Sequence, residues 1–467
     1  MSPVASLRVI AVRGAVHGGA YILPHLSDRR LLSLVRPLIN TVQFPEGRLF
    51  LEKLVTLSRQ FIAECSPQCR SKWINNFLGR ALLLSYPMRQ KAAARLGYFP
   101  PLLMVISPTM RCNLRCRGCY SSEYAKEDEM DFDTLTRVVN EAKEMGIHFI
   151  VVSGGEPYVR KDLLDLYEAH DDVYFLSFTN GTLINDRLAD RLAELGNVLP
   201  CISVEGFKKE TDERRGPGVF EKVVGAMDRL KERGLLFGFS ATATRQNNEL
   251  LVSEDFIDFY VSKGCFIGWY FQYLPIGRSP DFSMVPTPEQ RNERRKALNA
   301  LRLRKPIMLG DFWNDGPLVG GCIAGAREYF HVNSKGDVEP CVFTHFARDN
   351  VHEKSLGEAL GSPLFQAIRR RQPYNHNHLR PCMIIDNPEV LRQVVKEGGA
   401  RPTHAGAEAI LDGQLARDID KAAAEYGEIA DCEWAAMCAA CRYAARRRRS
   451  LDRGDASRGH QAGAGAR

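Results

Sequence analysis

The stretch Met110-Arg-Cys-Asn-Leu-Arg-Cys-Arg-Gly-Cys-Tyr120 sets Cys112, Cys116 and Cys119 in a C-x3-C-x2-C spacing, directly after the apolar run Leu102-Leu-Met-Val-Ile106. Three thiolates on one loop can hold three corners of a four-iron cluster, and the next cysteine in the chain is Cys201. One iron then lacks a protein ligand, the vacancy a cluster needs to bind and reduce a small molecule. Electron-carrying ferredoxin clusters take four cysteines instead. A zinc site wants a fourth ligand close by. A thioredoxin-like reading of Cys116-x-x-Cys119 leaves Cys112 unused.

A second motif stands downstream. Gly154-Gly155-Glu156-Pro157 follows His148-Phe-Ile-Val-Val-Ser153, which reads as a buried parallel strand. With Tyr120 beside the third cysteine, the two motifs in this order resemble the radical S-adenosylmethionine (radical SAM) superfamily. That resemblance implies a [4Fe-4S] cluster with an open iron site, held by Cys112, Cys116 and Cys119. It also implies S-adenosylmethionine bound near Tyr120 and the Gly154–Pro157 run. Gly154 and Gly155 would let the backbone approach the cofactor's amino group.

The chain has 467 residues, 45% of them hydrophobic, enough for a large core and two or three domains. Thirteen cysteines are too sparse for a disulfide scaffold, and their clustering points to metal ligation in a reducing, cytoplasmic compartment. No uninterrupted apolar stretch reaches membrane-spanning length, so a soluble protein with no transmembrane segment is expected. The N-terminus carries Arg8 and Arg13 but no compact apolar stretch ending in a cleavage site, so no signal peptide is expected. The net charge of +7 owes part of its size to Arg446-Arg-Arg-Arg449. Composition reads 444–467 as a basic, disordered tail.

Residues 1–98 read as a helical N-terminal extension, with apolar residues at helical spacing in 29–39 and 51–62. A packing role and a lipid- or membrane-facing role are both open to it. From about residue 100, strand and helix patterns alternate. Strands are expected at 102–107, 149–153, 173–179, 199–204, 236–241 and 266–273, with amphipathic helices between them. Six βα units in succession imply an α/β fold with a parallel sheet and right-handed crossovers. The resemblance makes this a partial (β/α)6 barrel, here 99–285, followed by a small C-terminal cluster-binding domain at 286–443. Chemistry in such folds sits at the carboxyl ends of strands. Asn180 ends the third expected strand and Ser203 and Glu205 the fourth, while Thr242, Thr244 and Asn247 follow the fifth. The resemblance makes these cofactor contacts, with turn formation as the rival role. The family usually shows Asp-Gly where Glu205-Gly206 stands.

Beyond the barrel, Cys322, Gly336 and Cys341 form C-x13-G-x4-C. The turn at Asn333-Ser-Lys-Gly336 would deliver Cys341 beside Cys322. This resembles the SPASM or twitch domains of radical SAM enzymes and implies one auxiliary [4Fe-4S] cluster. The dense cysteine run of a full SPASM pattern is missing. Cys382 stands alone, and Cys432, Cys438 and Cys441 follow about fifty residues later. Cys322, Cys341 and Cys382 with one late cysteine would complete one cubane. Between barrel and cysteines, Asp311 in Asp311-Phe-Trp-Asn-Asp-Gly316 is a candidate proton acceptor at the barrel mouth.

The implied reaction is reductive cleavage of S-adenosylmethionine to a 5′-deoxyadenosyl radical that abstracts hydrogen from a substrate. A reduced flavodoxin or ferredoxin would be the electron donor. The protein's share is orientation and exclusion of water and oxygen. Peptide maturation is the first substrate expectation. A lipid, isoprenoid or other small-molecule cofactor precursor is the alternative. A non-catalytic electron carrier would not need Gly154-Gly155-Glu156-Pro157. A nucleic-acid-modifying enzyme should carry an added basic β-domain, and only a basic tail is present.

Overall fold

The computed structural model describes residues 27–40, 45–127 and 129–458. Eight strands run parallel in one sheet: β1 (Leu103–Ile106), β2 (Phe149–Val152), β3 (Tyr174–Thr179), β4 (Val198–Val204), β5 (Gly238–Ala243), β6 (Ile267–Gln272), β7 (Met308–Asp311) and β8 (Tyr329–Val332). A two-residue strand, β9 (Val338–Glu339), adds antiparallel to β8. The order is β7-β6-β5-β4-β3-β2-β1-β8-β9, so the sheet does not close on itself among the described residues. Its first six strands are the expected βα units. The sheet is larger than the expected six because β7 and β8 come from beyond residue 286, one at each flank. No break in the sheet marks the boundary expected at 285.

Local chemistry accounts for the units. Most of the strands are apolar runs, and three of the helices between them start on side-chain caps. Asp131, Asn185 and Ser253 accept from the backbone N–H groups of Thr134, Leu188 and Phe256 at 2.6, 2.9 and 3.2 Å. Alternation at period two turns one set of strand residues inward. Leu103 and Val105, Phe149 and Val151, Leu176 and Phe178, and Trp269 and Phe271 all line a single internal cavity.

The N-terminal extension packs at the amino ends of the strands, away from the strand ends that carry the motifs. A π-helix, Trp73–Leu84, lays Trp73 against Tyr174 and Phe266 at ring separations of 5.3 Å, and Phe77 against Phe149 at 5.2 Å. Those three partners stand at or just before the starts of β3, β6 and β2. The backbone N–H of Ser66 donates to Gly234 O at 2.8 Å. Cys65 and Cys69 flank the break at Pro67 and are buried, and burial pushes the Cys65 thiol up to about 11. Residues 1–26 of the extension, including Arg8 and Arg13, lie outside the described residues.

The last helix runs Gly413–Arg458. Its backbone is helical well past residue 443, where composition suggested disorder. Alanine and arginine are both strong helix formers, and the Ala-rich stretch continues a helix already begun. Residues 459–467 lie outside the described residues. Among those described, no helix is long and apolar enough to cross a membrane. The Trp73 contacts carry a measurable cost: Trp73→Ala should destabilise the chain by ~3–5 kcal/mol, read as a lower denaturation midpoint in urea.

Candidate functional site

The cysteine loop is pinned from two sides. Gly155 N donates to Thr109 O at 2.9 Å and Glu156 N to Arg111 O at 2.8 Å, so the glycine pair lies flat against the loop's backbone. A β-carbon at Gly155 would stand 2.1 Å from Arg111 O, and one at Gly154 would stand 2.4 Å from Thr109 O. Gly154 also has φ +110°, which favours glycine. On the other side, the backbone N–H of Arg278 donates to Cys119 O at 3.1 Å and its guanidinium to Cys116 O at 3.2 Å.

Cys112, Cys116 and Cys119 are all half-buried and line one cavity of roughly 270 Å³. Leu114 N lies 3.4 Å from Cys112 Sγ, and the Ser121 hydroxyl 3.3 Å from Cys119 Sγ. Burial, and then Glu156 and the two neighbouring thiols, push the Cys112 thiol up to about 11. Loading a cluster would therefore displace its proton. Three thiols on one cavity wall, with N–H groups and a hydroxyl turned to the sulfurs, fit a cluster bound on three corners.

Tyr120, Gly154, Gly155, Asn180 and Ser203 line the same cavity, as does Thr242. The Tyr120 hydroxyl meets that of Ser153 at 2.8 Å. Asn180 Nδ2 donates to Asn113 Oδ1 at 2.8 Å and stands 3.8 Å from Cys112 Sγ. Ser203 faces Ser240 across two strands at 3.3 Å.

Several expected contacts are turned away. Glu156 is buried and accepts from Thr179 Oγ1 at 2.8 Å and Asn180 N at 2.7 Å, tying the glycine run to the end of β3. Burial raises its carboxyl to about 7. Pro157 opens a short 3-10 turn, Pro157–Val159, behind it. Thr244 is not a cavity residue: its hydroxyl and N–H both donate to Asn247 Oδ1, closing a turn. Glu205 is also turned away, because it is fully buried and pairs with Arg214 and Arg215 at 2.5 and 2.6 Å. Those two arginines line the cavity in its place. Asp311 ends β7 and is buried against Arg294 at 3.1 Å and Asn314 Nδ2 at 2.7 Å, so it is an ion-pair anchor and not a proton acceptor at the mouth. Its neighbour Phe312 reaches the cavity.

Arg214, Arg215, Arg278 and Ser240 gave no local signal in the sequence. Arg214 and Arg215 reach the site from the end of a helix (Lys208–Arg215), Arg278 from a loop and Ser240 from within β5.

The C-terminal cysteines assemble in part. Cys322, Cys341 and Cys382 are close enough to act on one another electrostatically. Desolvation pushes the Cys382 thiol up to about 12. Ile384 N lies 3.3 Å from Cys382 Sγ, and Phe343 N 3.5 Å from Cys341 Sγ. One buried thiol, Cys341, and two half-buried ones, Cys322 and Cys382, with backbone donors turned to the sulfurs of Cys341 and Cys382, fit a second cluster. Cys432 is exposed on the last helix and Cys438 half-buried there. The Cys441 side chain lies outside the described residues.

Two substitutions test this geometry. Gly155→Ala should cost the cysteine loop its cluster, lowering iron content by about four per chain. Asp311→Ala should destabilise the fold by ~3–5 kcal/mol by stranding buried Arg294, while cofactor cleavage per folded, iron-loaded molecule stays at the wild-type level.

Comparison with known proteins agrees with this arrangement. Residues 106–249 match the radical SAM superfamily and residues 322–383 match SPASM, an iron-sulfur cluster-binding domain. The chain is 26% identical over 323 residues to the Fe-coproporphyrin III synthase of Methanosarcina barkeri, covering 60% of this chain and 79% of that protein. It is 27% identical over 316 residues to the PqqA peptide cyclase of Granulibacter bethesdensis, covering 62% and 81%. Its fold is similar to that of Streptococcus suis SuiB bound to precursor peptide SuiA, with TM-score 0.53, 19% identity, and coverage of 63% and 72%. The chain thus carries a radical SAM domain at 106–249 and a C-terminal SPASM domain at 322–383, which imply a [4Fe-4S] cluster with S-adenosylmethionine and an auxiliary iron–sulfur cluster.

Proposed function

We propose that Cys112, Cys116 and Cys119 hold the cluster that reductively cleaves S-adenosylmethionine, and that the radical so made matures a peptide. The observation behind this reading is that all three cysteines, both glycines, Asn180 and Ser203 share one cavity. When bound, the cluster and S-adenosylmethionine together supply a carbon-centred radical able to take hydrogen from an unactivated carbon.

The chain's own residues do the rest. Cys322, Cys341 and Cys382 hold the auxiliary cluster. Asn180 and Ser203 offer polar contacts to the cofactor from the ends of β3 and β4. Arg214 and Arg215, kept in place by Glu205, offer positive charge to a carboxylate. Phe178, Trp269, Phe271, Phe312 and Phe343 keep the cavity dry.

The relative named as a peptide cyclase supports the peptide reading. A cavity of roughly 270 Å³ lies at or below the lower end of ordinary ligand pockets, and the cofactor must share it. The aromatic wall favours a second reading, an apolar cofactor precursor, and the two relatives' names divide in the same way. A reduced flavodoxin or ferredoxin in the cytoplasm would supply the electron.

The test is 5′-deoxyadenosine formation by anaerobically reconstituted protein given S-adenosylmethionine and dithionite. Wild type should form it, and the variant with Cys112, Cys116 and Cys119 all changed to Ala should form none. Equal formation by both proteins would overturn the assignment. Hydrogen transfer from a deuterated candidate peptide into 5′-deoxyadenosine separates the peptide reading from the cofactor-precursor reading.

A further inference from the structure

Tyr329 is the first residue of β8 and is buried, with its ring in the cavity wall. Its hydroxyl lies 2.8 Å from Cys341 Sγ. A buried tyrosine hydroxyl needs a partner, and here the partner is a sulfur. Tyr374 provides an internal contrast. It feels the same three thiols, Cys322, Cys382 and Cys341, yet its hydroxyl accepts from Gln372 Nε2 at 3.3 Å. A buried tyrosine, Tyr329, and a half-buried one, Tyr374, thus flank one cysteine group, and the buried one reaches a sulfur.

We propose that Tyr329 is a positioning residue for the auxiliary cluster: its hydroxyl donates to the Cys341 sulfur and raises the cluster's reduction potential, while its ring joins that sulfur to the substrate cavity. The proposal rests on the reading that Cys341 is a cluster ligand. The physical reason is direct. Reduction places more negative charge on the cluster sulfurs, so a hydrogen bond to one of them stabilises the reduced state more than the oxidised one. Potentials of iron–sulfur clusters respond to hydrogen bonds at the sulfurs and to solvent exposure, and this site is dry enough for one hydrogen bond to count. The phenol and the sulfur are joined without an intervening backbone, so a change at the cavity side of the ring is felt at the cluster. A merely structural tyrosine would fill the same space and leave the potential where it was.

The experiment is an EPR-monitored redox titration of the full chain with Cys112, Cys116 and Cys119 changed to Ala, so that only the auxiliary cluster reports. Tyr329→Phe in this background should lower the reduced-to-oxidised ratio at fixed potential about tenfold, a shift of ~59 mV to the negative for a one-electron couple. Tyr374→Phe is the control and should leave the midpoint at the wild-type value. An unchanged or more positive midpoint in a fully iron-loaded Tyr329→Phe protein overturns the proposal. Should that variant fail to hold its cluster, 3-fluorotyrosine at position 329 keeps the ring and makes the hydroxyl a stronger donor. The midpoint should then rise, and no change sinks the idea. Cys341→Ala tests the underlying reading separately. Loss of the auxiliary signal upholds Cys341 as a ligand whatever Tyr329 does, and a retained, unaltered signal refutes the ligand reading itself.

Discussion

The contact between the Gly154-Gly155 backbone and the Thr109–Arg111 backbone is the constraint on which the rest of the site depends. It joins the loop after β1 to the loop after β2 by two hydrogen bonds at a separation no side chain could share. Glu156 extends the same seam to β3 through Thr179 and Asn180. Three consecutive strand ends are thereby locked in register, and the cysteines between them have one way to face. The expectation that the glycines bring backbone close to a bound cofactor is thus extended. The observed close approach is first to the cysteine loop itself.

The C-terminal segment is built into the barrel, not appended to it. β8 pairs along the whole of β1, and a buried chain of hydrogen bonds fastens the two. Ser107 Oγ meets His331 Nε2 at 2.7 Å, His331 Nδ1 meets Glu339 at 2.6 Å, and the Tyr124 hydroxyl donates to Glu339 at 2.9 Å. Every polar end in that chain is satisfied, the condition under which a buried network rigidifies its surroundings. Ile323, Tyr329, Val342 and Phe343 then complete the cavity wall, with Cys322 and Cys341 adjacent to them in sequence. Cys322 and Cys341 thus stand next in sequence to residues of the wall that Cys112, Cys116 and Cys119 line.

The N-terminal extension answers to a different need. The amino ends of the strands expose Phe149, Tyr174 and Phe266, and Trp73 and Phe77 cover them. On the other side of the same extension Leu49, Leu83, Tyr86 and Met88 remain exposed. The apolar face that carries Trp73 and Phe77 is used for packing.

Much was legible before any coordinates. Six strands, their order, the cysteine loop and the Gly154–Pro157 run all follow from apolar runs, turn residues and spacing, which are properties of neighbouring residues. The turn at Asn333–Gly336 and its spacing likewise point to Cys341 beside Cys322, while the addition of Cys382 and a late cysteine rested on the resemblance to SPASM domains. Tertiary structure alone decided which polar side chains face the cavity. Glu205, Thr244 and Asp311 stand at strand ends, yet Arg214 and Arg215, Asn247, and Arg294 hold them away from it. Arg278 and Tyr329 lie outside every motif and reach the cysteines. Spacing along a strand fixes which face a residue takes, because the backbone repeats every two residues. The partner that captures a charge comes from a helix or loop elsewhere in the chain, and only packing those helices and loops onto the open sheet brings the two together.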